Sequence, residues 1–191
     1  MSERVVISRL FVGPLDVEGD GRTIVGRCIP YDVPTRVADE GNPEPYVETW
    51  KRGAFRAALR DPGRIHLVWN HDETAIGNQL GHAVSFLEDA GGLDGTFRAV
   101  GTPGDQALEL IRSGMARGLS VHAAISPSGS RTRNGVVERT LARLIHVALV
   151  TQPAYEDAVV TAVRSSSGSV ELADVRAKQD AYRLRFPPTS E

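Results

Sequence analysis

The chain reads as an α+β domain that is mainly β, and three observations carry that reading. Apolar and polar residues alternate through several short segments, the period of half-buried strands. Clusters of Gly, Pro, Asp and Asn separate those segments as turns do. The best helical signal is confined to about residues 103–117. A length of 191 residues suits one domain with tails, large enough to bury a proper core. Hydrophobic residues at 41% and charged residues at 24% describe a globular chain rather than a disordered one. The net charge of −2 gives no electrostatic reason to expect nucleic acid. No apolar run reaches the length of a bilayer span, and residues 1–10 lack a signal-peptide core. No membrane partner is therefore expected.

Element by element, residues 1–13 and 22–31 alternate as strands around the turn Gly19-Asp20-Gly21. Residues 32–45 turn to Pro, Asp, Glu and Gly without periodicity and predict a long surface loop. A short helix is predicted over 52–60, stopping before Asp61-Pro62-Gly63 because proline disfavours helical geometry in the residue before it. Strands come next over 64–70, 81–88 and 93–100, the last two joined at Ala90-Gly91-Gly92 as a meander. The helix over 103–117 takes Thr102 as N-cap, Pro103 at its first position and Asp105 as a capping acid. Its stripe is Ala107, Leu108, Ile111 and Met115, and Gly118 stops it. A strand opens at once, with Leu119, Val121, Ala123 and Ile125 on one face and Ser120, His122, Ala124 and Ser126 on the other. Residues 126–135 form a polar loop, and one long strand spans 136–151 with His146 facing the way of Leu144 and Ala148. Residues 158–163 are a last strand or short helix. Ser165-Ser166-Ser167-Gly168-Ser169 is a linker by composition, and a thin stripe of Val170, Ala173, Ala177, Ala181 and Leu184 makes a helical tail. The folded domain is thus expected over 1–164 and the tail over 165–191.

Three polar residues stand out because their segments are otherwise built for burial: His71 after Ile65-Leu67-Val68-Trp69, Ser120, and His146. A buried hydroxyl or imidazole costs free energy unless it is partnered, and these three could partner one another. They are also the parts of a nucleophile, its base and the group that orients the base. Each taken singly is better read as structural: a strand serine, a turn histidine capped by Asp72, a core histidine on a carbonyl. Jointly the catalytic and structural readings stand even. His122 shares the face of Ser120 and rivals His71 as base, though it would stand beside the serine and not across from it. His66 and His71 are five apart, which points them to opposite faces, and His82 is expected to be exposed. No Cys/His or His/carboxylate spacing resembles a zinc site, and no glycine stretch matches a phosphate or dinucleotide fingerprint. Neither metal nor cofactor is expected. The single cysteine, Cys28, excludes an internal disulfide, fits a reducing cytoplasm, and lies among Gly26, Ile29 and Pro30 as a small buried residue.

The order of these motifs resembles the prohead (capsid maturation) proteases of tailed phages, which share a fold with the herpesvirus assemblin serine proteases. The resemblance runs from about Gly26 to Ala162. It takes in Gly53-Ala54-Phe55 after an acidic loop, Asn70-His71-Asp72 followed by Ile76-Gly77, and Gly92-Leu93. Gly118-Leu119-Ser120 after the helix, Gln152-Pro153-Ala154-Tyr155 and Asp157-Ala158 complete it. No one motif is specific, but six in this order are. The resemblance implies a closed or partly closed antiparallel β-barrel flanked by a few helices, with Ser120 as nucleophile and His71 as general base. The chain departs at the third position. Phage members carry a glutamate before the valine of the last strand, where this chain has His146-Val147-Ala148-Leu149-Val150. A histidine in that role is the assemblin solution, so the departure implies a Ser-His-His triad.

The resemblance further implies peptide-bond cleavage in the host cytoplasm, inside the phage procapsid. The implied substrates are the scaffolding protein, a scaffold-like N-terminal segment of the major capsid protein, and the protease itself, with self-association left open. The chain ends soon after the protease domain, which implies a separate scaffold. Oxyanion donors are expected in 131–143, turnover is expected to be slow, and the rate is expected to rise with pH near or above 6.5. Two alternatives stand beside this: a catalytically silent capsid-assembly factor of the same fold, and a β-barrel peptide-binding module.

Overall fold

The computed structural model describes residues 5–13, 15–39 and 42–151. They all fall in the first of two units, Met1–Val160; the second, Thr161–Glu191, lies outside them. The expectations for 158–163, the linker, the tail and the boundary at 164 therefore lie outside the described residues.

Twelve strands and two α-helices are described, with short 3-10 turns at Pro62–Arg64 and Ile76–Asn78. The strands are β1 (Val5–Val12), β2 (Leu15–Glu18), β3 (Thr23–Pro30), β4 (Thr35–Asp39), β5 (Asn42–Trp50) and β6 (His66–Trp69). They continue as β7 (Gln79–Glu88), β8 (Gly92–Ala99), β9 (Gly118–Ile125), β10 (Ser130–Arg133), β11 (Val136–Arg139) and β12 (Ala142–Val150). The helices are α1 (Arg56–Arg60) and α2 (Gly101–Arg112). Eight strands form one sheet in the order β1-β9-β12-β6-β7-β8-β3-β2, and four form a second, β10-β11-β5-β4. The large sheet curls until β3 lies against β1 and β9. Among the described residues no ladder joins its edges β1 and β2, so it is a curled half-barrel and not the closed barrel. Nor is it all antiparallel: β6–β12 and β5–β11 run parallel.

Both faces of the central strands are buried, but differently. One carries Ile7, Leu67, Leu119, Val121, Ala123, Leu144, Val147 and Leu149, each 0–5% exposed and brought to one side by the ladder register. The other carries Ser120 and the histidines.

The sequence expectations fail at five places. Residues 32–45 are not an irregular loop but hold β4 and the start of β5, a hairpin whose apolar content is low because it buries charge. The strand predicted over 136–151 is two, β11 and β12, broken at Thr140-Leu141. The polar loop before it contains β10, which turns into β11 through Asn134-Gly135 at φ 51° and 77°, the left-handed pair that a two-residue hairpin requires. Helix α2 starts two residues early, with Val100 at its N-cap and no side-chain cap. Asp105 pairs with Arg22 instead, and the helix ends before Met115, which is exposed. Finally, a bulge between Leu144 and His146 shifts the register of β12. Leu144 pairs with Ala123 and His146 with His122, so the two point to opposite faces.

Candidate active site

That bulge builds the site. Without it His146 would join Leu144 on the apolar face; with it the imidazole stands on the face of Ser120, one ladder position from Ala148 and Ser120. The same row continues across five strands as Ser8, His122, His146, His66 and His82.

His71 comes from the turn after β6. Asn70 and His71 have φ 46° and 63°, a left-handed pair uncommon for side-chain-bearing residues. The Asp72 N–H donates to the Trp69 carbonyl at 2.9 Å and the Asn70 N–H to the Leu149 carbonyl at 3.2 Å, which pins the turn onto β12. The Asp72 carboxylate then accepts from the Thr74 N–H, the Thr74 hydroxyl and Asn78 Nδ2 at 2.6–2.8 Å. It organises the next stretch of loop and is held below the usual carboxylate range by those donors.

Ser120 Oγ lies 2.6 Å from His71 Nε2, and His71 Nδ1 lies 2.8 Å from His146 Nε2. Ser120 and His146 are 3% and 2% exposed, and His71 is half-buried. Glu73 Oε2 approaches His146 Nδ1 to 3.1 Å, within ion-pair reach but without the alignment of a straight hydrogen bond, leaving that nitrogen without an aligned partner. One tautomer assignment satisfies the series. Ser120 O–H donates to His71 Nε2, His71 Nδ1–H donates to His146 Nε2, and His146 keeps its proton on Nδ1 toward Glu73.

Burial, reinforced by the neighbouring His146 and His122 rings, pushes the His71 pKa down to about 4. Burial also lowers His146, with the Glu73 carboxylate pulling the other way. The shift therefore runs below 6.5, opposite in direction to the expectation of a His71 pKa near or above that value. The partner of His71 is a neutral imidazole, which offers an imidazolium no counter-charge.

His122 does stand beside the serine, not across from it. Its ring stacks on His146 at 4.7 Å and 11°, and its Nδ1 is hydrogen-bonded to Ser8 Oγ at 2.8 Å. His66 and His82 are exposed. Cys28 is fully buried, which raises its thiol pKa. In the segment expected to supply oxyanion donors, Arg139 is bonded to Glu48, Ser130 and Tyr46, and Arg131 to Glu138. Arg143 pairs with Ala124 and so shares the Ser120 face. Glu73 went unnoticed in the sequence, although it lies two residues from His71. No periodicity marks a loop carboxylate as aimed at another strand.

A hydroxyl and two imidazoles joined in series on a β-sheet are the constellation of a serine-type hydrolase. The caudovirus prohead serine protease family matches residues 15–172. The chain belongs to that family and is a serine peptidase of phage capsid maturation. The fold is similar to that of the bacteriophage T4 capsid assembly protease, with a TM-score of 0.58 and 12% identity over 80% of this chain and 100% of that one. No curated protein matches the sequence.

Proposed function

We propose that Ser120 is the nucleophile, His71 the general base and His146 the group that orients it. The observation that carries this reading is the unbroken series Ser120 Oγ–His71–His146 at 2.6 and 2.8 Å. His71 takes the hydroxyl proton as Ser120 Oγ attacks the scissile carbonyl, then returns it to the leaving amine; water repeats the cycle on the acyl-enzyme. His146 Nε2 accepts from His71 Nδ1–H throughout, fixing the tautomer that leaves Nε2 free to act. A triad of this Ser-His-His kind is the assemblin arrangement, and it favours affinity with the herpesvirus fold.

The substrates are the scaffolding protein, the scaffold-like N-terminal segment of the major capsid protein, and the protease itself, inside the procapsid in the host cytoplasm. Residues 1–164 suffice for cleavage, and the tail 165–191 serves docking or self-cleavage. A fluorophosphonate probe tests the core of this reading. It should label Ser120 in the wild-type chain, and both Ser120→Ala and His71→Ala should abolish labelling. Labelling elsewhere, or normal processing of co-expressed capsid protein by Ser120→Ala, would refute the assignment.

A further inference from the structure

The histidines of the site are more numerous than a triad needs. His71, His122 and His146 come from a turn and two adjacent strands, yet one ring nitrogen of each lies within 4.8 Å of the others. His122 spends Nδ1 on Ser8, which leaves Nε2 for the cluster, and its stack against His146 holds that nitrogen in place. We propose that these three imidazoles bind a divalent transition cation of zinc's class, and that its occupancy switches the peptidase off.

The donor set selects the cation. Three nitrogens suit zinc and copper, whereas magnesium and calcium require oxygen ligands. Three imidazoles with water in the fourth place make a tetrahedral zinc site. Zinc–nitrogen bonds of about 2.0–2.1 Å place two tetrahedral ligands about 3.3 Å apart. His71 Nδ1 and His146 Nε2 are 2.8 Å apart, so the cation requires an opening of roughly half an ångström. It takes the place of the proton those nitrogens share.

The switch is set by where that proton goes. When the cation binds His71 Nδ1, the imidazole stays neutral by carrying its proton on Nε2, so no net proton is released. His146 keeps its proton on Nδ1 and binds through Nε2. His71 Nε2–H now donates to Ser120 Oγ and can no longer accept from it. This inhibitory half rests on the reading of His71 as the base; the binding half does not.

The experiment separates the two. Zinc titrated calorimetrically into the full metal-free Ser120→Ala chain should bind one equivalent, and the wild-type chain should give the same isotherm. Adding His122→Gln should weaken binding by about tenfold or more, since even partners outside the ligand shell commonly cost that much. His82→Gln, on the same strand row but exposed, should leave binding unchanged. In the peptidase assay zinc should inhibit the wild type reversibly with a chelator, and magnesium should not. The absence of saturable binding, or an equal loss in the His82 and His122 variants, overturns the site. Binding without inhibition overturns the switch and places the fault with the assignment of His71 as base.

Discussion

Two clusters of buried polar side chains among the described residues are built on opposite principles. On the apolar face of the large sheet, Arg9 alternates with Ser8 and Leu10 along β1 and meets the second sheet. Its guanidinium bonds Glu48 at 2.5 and 3.1 Å, Asp39 at 2.7 Å and Tyr46 at 2.9 Å. Arg139 adds bonds to the same Glu48 at 3.0 Å and the same tyrosine hydroxyl at 2.7 Å. Every charge there has an opposite charge. On the other face, Ser120, His71 and His146 hold one another as neutral groups, with His146 Nδ1 facing Glu73 without an aligned bond. The first cluster is closed, and breaking it leaves a charge stranded. The second keeps protons that can move along it, which is what acid–base chemistry requires. Satisfied charge marks structure here, and neutral groups in series mark the proposed site.

Crossing the two clusters by mutation gives the largest contrast. Ser120→Ala should lower kcat by about 10⁴–10⁶-fold while leaving the urea midpoint nearly unchanged, because it deletes one small atom from a neutral series. Glu48→Ala should do the reverse. Removing one partner of a buried ion network costs about 3–5 kcal/mol, read as a lower urea midpoint, with kcat of the surviving folded fraction intact. If Ser120→Ala unfolds the chain or Glu48→Ala alone abolishes catalysis at full stability, the division between the clusters fails.

Much of the functional cluster was legible because burial made it visible. His71, Ser120 and His146 interrupt apolar segments, which singled them out as possible partners of one another, while their roles came only from the family resemblance. The bulge that turns His146 toward Ser120 was not legible. It is set by the pairing of β12 with β9, and period-two counting placed His146 with Leu144. The structural cluster was missed for the complementary reason. Glu48, Tyr46 and Asp39 look like surface residues in a Pro- and Glu-rich stretch, and only Arg9 and Arg139, from distant strands, make their burial tolerable. Strand identity survived where alternation was apolar, in β7, β8 and β9, and failed where charges carried the packing, in β4, β5 and β10.

The next contrast lies within the site. His146→Ala should cost about 10²-fold in kcat, the low end for a positioned acid–base group, and less than His71→Ala, since the base remains. His146→Glu should retain activity or raise it, because a carboxylate stabilises the developing imidazolium, provided its desolvation among Ala148 and Val68 is met by His71. Full activity in His146→Ala would make His146 structural.

Acid separates the clusters by pH. The folded-state pKa of His71, about 4, lies below the unfolded value of about 6.5. The unfolded chain therefore binds more protons between those values, and stability is lost as pH falls from about 6.5 toward 4. At Asp39 burial works against ionisation, but hydrogen bonds from Tyr46 and Arg9 outweigh it and hold the carboxyl low. Its contribution is lost only as pH falls below the usual carboxylate value, about 3.9. Melting temperature followed against pH should thus decline in two stages, and His71→Asn should flatten the upper one. An unaltered upper stage would mean that His71 is not desolvated.

The smallest effect belongs to Glu73, and it decides whether the neutral series ends at His146. Glu73 is half exposed, at 48% for its side chain, and its contact with His146 is 3.1 Å without good alignment, so solvent screens most of its field. Glu73→Gln should therefore cost only a few-fold in kcat, about what a weak, exposed ion pair is worth, with KM and stability unchanged. The informative readout is the pH profile. The carboxylate favours a proton on His146 Nδ1, which leaves Nε2 to accept from His71, and it raises the basicity of His146. Its loss should move the acidic limb of kcat/KM to lower pH, since the coupled imidazole pair then ionises less readily. Glu73→Asp, whose shorter reach keeps the charge but lengthens the approach, should fall between the two. A profile that does not move in Glu73→Gln would confine the relay to Ser120, His71 and His146, and leave the Asp72 loop as a scaffold for the base alone.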